Sequence, residues 1–260
     1  MRKKANSLGR LLIILFWGFG CSLSKAQEYK DVAWNDPRVE DSSYYAFREK
    51  NSIPPFSTKK IQFLIDKRLK ALPDEALTDY DAGISVRDFN TLTFEEKFTY
   101  TMIYPEIFSQ ACAERMFVYN PQKKIFGQLL FVYNGVFWSE RQISYMKKNK
   151  VKIVQLIQDL ARKTNEMGLN YKSAILEMSA WESIPFLIDF YERNPRDKDI
   201  LTTLLLLLKV AKLSDFEQSK IYAKLYGPDT NYESWINFSE VNVHYIIETA
   251  TAYYNLQKGK

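Results

Sequence analysis

The sequence predicts an all-α fold, a helical-hairpin bundle or short α-solenoid behind an irregular N-terminal strap. Three observations lead there. Apolar residues recur at helical spacing through most of the chain after Ser57. Capping-box patterns stand at Thr93 with Glu96 and at Ser139 with Gln142. The 260 residues include only nine glycines, too few for a turn-rich β protein.

The N-terminus is read separately from the fold. Arg2, Lys3, Lys4 and Arg10 form a basic start, "LLIILFWGFG" a short apolar core, and "SLSKAQ" a polar exit. Ser24 and Ala26 are the small residues a signal peptidase reads, so cleavage is expected between Ala26 and Gln27. The apolar run is too short for a stable membrane anchor. A second reading makes Cys21, preceded by Gly20, a lipid-attachment site, although Gly18 stands where such sites usually have Leu. The membrane would then be met only through an N-terminal lipid.

Removing residues 1–26 changes the charge argument. That segment holds five of the 36 Lys and Arg residues and none of the 31 Asp and Glu residues. The remaining chain is balanced, 31 against 31, so net charge gives no case for binding nucleic acid or anionic lipid.

Three regions follow: the signal at 1–26, an irregular segment at 27–56, and a single helical domain at 57–260. The strap lacks a sustained apolar period but holds Trp34, Tyr44, Tyr45 and Phe47, rings suited to docking on the domain. Ser57 is expected to cap a helix carrying Ile61, Leu64, Ile65 and Leu69, which Pro73 ends. "PDEALTDYDAGISVRDFN" reads as a connector. A helix starts at Phe94, and Pro105 is expected to open another that runs through Cys112. Asn134-Gly135 suggests a small hairpin near 129–138, but a helix over about 123–133 is preferred, because the Ser139 cap leaves only three residues for a second strand. Helices follow at about 140–148, 150–163, 170–180, 183–193, 198–212, 215–226 and 240–257, with Ser214 and Glu217 capping the sixth. "ILTTLLLLLKVAK" is too short to span a bilayer and, apolar on all sides, reads as the central core helix.

"ESIPFLIDFYERNPRDKDILTTLLLLLKVAK" (about 182–212) has an Ile-Pro opening, an aliphatic first helix, Asp in the turn and a leucine-rich second helix. It resembles a HEAT-type helical hairpin. "IVQLIQDLAR" and "IPFLIDFYER" share Ile, Leu, Ile and Arg at the same offsets, but two copies fall short of a solenoid. The resemblance implies an α-α hairpin architecture and no particular activity.

Few motifs suggest chemistry. Cys112 in "SQACAER" aligns at helical spacing with Phe108 and Met116 and has no upstream histidine, so it is read as a core residue rather than a nucleophile. His244 is the only histidine, so a zinc site is not expected; it is read as a partly buried, hydrogen-bonded residue sharing a face with Val241 and Glu248. "DYDAGISVRDFN" departs from a calcium loop in the positions of Gly83 and Asn90. Glu95 and Glu96 are adjacent in a first turn and point apart, unlike a glycosidase pair. No metal, cofactor or catalytic residue is assigned. The preferred recognition surface is Tyr100, Tyr104, Glu106 and Phe108, around the Pro105 break.

The expectation is an exported, periplasmic or envelope-associated scaffold that binds another envelope protein without catalysis. The alternatives are a glycan- or peptide-binding module, suggested by 17 Tyr, 17 Phe and five Trp, and a hydrolase with dispersed carboxylates.

Overall fold

The computed structural model describes residues 32–34, 36–72, 80–109, 116–133 and 135–259. The expected signal segment, the Ala26–Gln27 cleavage point, Cys21 and Cys112 lie outside them. Among the described residues the chain is mainly helical, with a few short strands.

The strap is the first correction. Inside the segment expected to be irregular, Val39–Glu49 forms helix α1. Its buried positions are Asp41, Tyr44, Tyr45 and Arg48, a helical stripe whose members are polar or amphipathic. A search for apolar periodicity therefore passes over it. Each member bonds a residue far along the chain. Asp41 accepts from Arg38 at 2.9 Å and from the Asn120 N–H at 3.2 Å. The Tyr45 hydroxyl accepts from the Val118 N–H at 2.8 Å and donates to the Val118 carbonyl at 3.0 Å. Before α1, β1 (Val32–Trp34) pairs antiparallel with β4 (Met116–Val118).

Helix α2 (Thr58–Leu69) packs on α4 (Phe94–Ile103) through Ile61 and Ile65. Ser57 precedes α2 but does not cap it; the residue is left-handed, and its side chain makes no capping hydrogen bond. The connector holds β2 (Tyr80–Asp81) and the short helix α3 (Val86–Thr91), capped by Ser85. Both expected capping boxes are present, Thr93/Glu96 on α4 and Ser139/Gln142 on α5 (Glu140–Lys148).

Between α4 and α5 the expected helices give way to strands. Pro105 opens no helix: β3 (Ile107–Phe108) lies there, between β2 and β6 (Val136–Phe137). Residues 123–133 are not helical along their length either, and among the described residues of 129–138 no hairpin pairing forms. Lys124–Phe126 is strand β5, paired with β7 (Trp235–Asn237) from far along the chain, and Leu130–Tyr133 is one 3-10 turn. Gly135 takes a positive φ of 63°, as a turn glycine would, but its strand pairs with β3, not with β5.

The C-terminal helices lie close to their expected bounds: α6 (Lys150–Thr164), α7 (Leu169–Glu177), α8 (Ile184–Arg193), α9 (Asp199–Val210) and α12 (Glu240–Lys258). The expected sixth helix is two, α10 (Ser214–Glu217) and α11 (Lys220–Tyr226), because Ser219 caps the second anew. Ser214 forms no capping box. Helices α8 and α9 pack together as the hairpin the sequence suggested, and α9 also meets α7, α12 and β5. Residues 199–208 of α9 are all buried. Its threonines fit there because Thr202 donates to the Phe126 carbonyl at 2.9 Å and Thr203 to the Asp199 carbonyl at 2.7 Å.

Burial raises the phenols of Tyr44, Tyr100, Tyr145 and Tyr171 above their ordinary value of 10.0. Above that pH the unfolded chain releases protons that the fold retains, so stability falls as pH rises. These tyrosines should therefore ionise together with the loss of helical circular dichroism. Gradual tyrosinate absorbance with the helices intact would contradict this.

Candidate functional site

Pro105 disfavours helical backbone at the residue before it, and Tyr104 leaves α4 with φ −143° and ψ 82°. The backbone of Glu106 is then committed sideways: its N–H donates to Gln142 Oε1 at 3.1 Å, and its carbonyl accepts from the Ala82 N–H at 2.8 Å. This drives the Glu106 side chain inward.

The carboxylate is saturated there. Tyr100 donates its hydroxyl to Oε1 at 2.7 Å, and Arg141 Nε reaches the two oxygens at 2.9 and 2.8 Å. The Ser139 hydroxyl and Arg141 Nη2 add closer contacts. Arg141 also donates to the Ile84 carbonyl at 2.6 Å and lies over the Phe89 ring. Burial opposes the Arg141 charge, and Glu106 more than compensates, so the guanidinium is held above its ordinary value. Burial and the bond to Glu106 together push the Tyr100 phenol up.

Of the four predicted recognition residues, Tyr100 and Glu106 are thus brought together but buried. Tyr104 is half-buried, donating to the Ala82 carbonyl at 3.3 Å, and Phe108 is half-buried within β3. Together they form a structural joint beneath a broad cleft of about 1280 Å³, walled by Lys67, Arg68, Arg87 and Asp88. A carboxylate accepting from Tyr, Ser and Arg at once has no lone pair left to take a substrate proton.

Two features escaped the sequence reading. The first is a pair of buried ion pairs at the start of α9. Arg48 meets Asp199 at 2.8 Å, and Lys172 meets Asp197 at 2.8 Å, all four side chains being almost wholly enclosed. Burial raises the Asp197 carboxyl and Lys172 only partly counters it. The signal was "RDKD" opening a leucine helix, but its partners lie far away in sequence. The second feature is an apolar groove of about 390 Å³, lined by Leu129, Phe131, Phe137, Trp138, Leu176 and Val210 among others. One wall is fixed: Trp138 stacks on Phe131 at 5.1 Å and donates to the Thr101 carbonyl at 2.8 Å. The Ser173 hydroxyl lies at the groove, buried and without a hydrogen-bond partner among the described residues.

The remaining sequence candidates do not join a site. His244 is exposed, not partly buried, and pairs with Glu248 at 2.9 Å one helical turn on. Glu96 is buried against Lys60 at 2.8 Å while Glu95 faces solvent. Among the described residues no three His, Cys, Asp or Glu side chains are grouped to hold a metal, and no helix is long and apolar enough to cross a membrane.

No family model, curated protein or solved structure matches the chain.

Proposed function

We propose that this is an exported, non-catalytic protein of stacked α-hairpins that binds another envelope protein through the apolar groove. The observation that carries the reading is how the buried carboxylates are spent. Asp41, Glu96, Glu106, Asp197 and Asp199 each face a cation, Arg38, Lys60, Arg141, Lys172 and Arg48 respectively. Buried acids neutralised in this way hold helices together and leave recognition to side chains at the surface. Export is supported by the basic, apolar and polar order of residues 1–26.

The groove supports the choice of surface. Phe137 and Val210 on its rim are 42% and 55% exposed beside a rigid aromatic wall. Such a surface suits an apolar segment of a partner, with aromatic anchors contributing most of the affinity.

The test is cross-linking of the tagged protein in its native envelope, followed by mass spectrometry, with Phe137→Asp alongside. Recovery of one partner near stoichiometry, reduced about tenfold or more by the variant, is expected. Circular dichroism and Tm should stay unchanged, because Phe137 is on the rim. Equal recovery with both proteins would reject the groove, and no partner above background would reject the scaffold reading.

A further inference from the structure

On a different part of the molecule, we propose a binding site for an acidic saccharide unit, in the cavity where the end of α1 meets the α6–α7 and α8–α9 turns. The cavity is about 300 Å³, the size of a small-molecule site. It is independent of the apolar groove and shares none of that groove's lining residues.

Its apolar surface comes from Phe47, Met167, Phe190 and Pro195. Apolar surface of this kind takes the C–H side of a pyranose ring. The polar complement comes from three amides with groups that no described residue takes. Asn51 uses Oδ1 to accept the Asn170 N–H, leaving its amino group. Asn194 gives its amino group to Asn165 Oδ1 and the Phe190 carbonyl, leaving its own Oδ1 and the amino group of Asn165. Donors and acceptors together over an apolar surface match sugar hydroxyls, which both give and accept.

Charge narrows the class. Lys50 is matched by Glu166 at 2.7 Å, Arg193 by Asp189 at 2.6 Å, and Asp197 by Lys172. Arg196 is the exception: among the described residues its guanidinium meets no carboxylate and lies on the Phe47 ring at 4.7 Å from the centroid. A guanidinium over a ring still has N–H groups to give a carboxylate. A uronic acid residue supplies ring, hydroxyls and carboxylate together.

The test is isothermal titration of the purified protein with digalacturonate, with galactobiose as the neutral match, and repetition with Arg196→Gln. Digalacturonate should bind, with galactobiose about tenfold weaker or more, and Arg196→Gln should erase that preference. Arg196 is exposed, so the variant should keep its circular dichroism and Tm. Absence of digalacturonate binding, equal affinity for both sugars, or a preference surviving Arg196→Gln would each overturn the site. So would equally tight binding of tetraglutamate or inorganic phosphate, since either would make it a general anion site.

Discussion

Gly168→Ala is expected to cost about 3 kcal/mol or more of unfolding free energy, roughly 10 °C in Tm for a chain of this size. The reason is space, not backbone angle: Gly168 has φ −66° and ψ 164°, open to any residue. An added Cβ would sit 2.1 Å from the Ser52 nitrogen and 2.7 Å from the Asn51 carbonyl carbon. Those are main-chain atoms, so the strap itself must move. It cannot move cheaply, because it caps α7 from outside the helix. The Gly168, Leu169 and Asn170 N–H groups donate to Ser52 Oγ at 2.8 Å, Lys50 O at 2.9 Å and Asn51 Oδ1 at 3.1 Å. In return, Ser52 N–H and Asn170 Oδ1 meet at 2.9 Å. Losing such caps removes about 1 kcal/mol apiece. Urea unfolding measures the loss, and Gly259→Ala, whose Cβ would meet nothing closer than 3.6 Å, is the neutral control. Equal stability of the two variants would show that the strap does not grip α7.

Arg48→Met should cost about 3–5 kcal/mol, because Asp199 would be left enclosed without its cation. Burial works against the Arg48 charge, yet Asp199 holds it above its ordinary value. The guanidinium also lies over the Phe126 ring at 4.0 Å and reaches the Gln128 carbonyl at 3.4 Å. The double variant Arg48→Met with Asp199→Leu should recover most of the loss, since an apolar pair of similar volume carries no desolvation penalty. A double-mutant cycle by denaturant unfolding checks this. Additive losses would mean that the two residues stabilise the fold separately.

What the sequence disclosed and what it hid follow from how each element is held. Helices α4, α5, α6, α8, α9 and α12 were readable because local signals set them: capping side chains three residues from their targets and apolar stripes of period 3.6. The short strands were not, since β5 exists only because β7, more than a hundred residues later, pairs with it. Helix α1 was hidden for a third reason. Its buried stripe is Asp, Tyr, Tyr and Arg, residues that look like surface until their partners at Asn120, Val118 and Asp199 are in place. The site shows the same division. Tyr100 and Glu106 were singled out together and do touch, but their burial depended on Arg141 and Ser139 arriving from the next helix. The cavity beside Arg196 joins three separate turns, a juxtaposition visible only in three dimensions.

The external capping of α7 also bears on timing. Residues 48–52 leave the ribosome early, while the groups that complete them, Gly168 to Asn170 and Asp199, are made more than a hundred residues later. Loop closure over such separations is slow, and until then α7 has no end cap and Arg48 no counter-charge. The chain therefore cannot ratchet to completion from its first residue onward. Its first helix and the strap after it are completed only by residues 168–199.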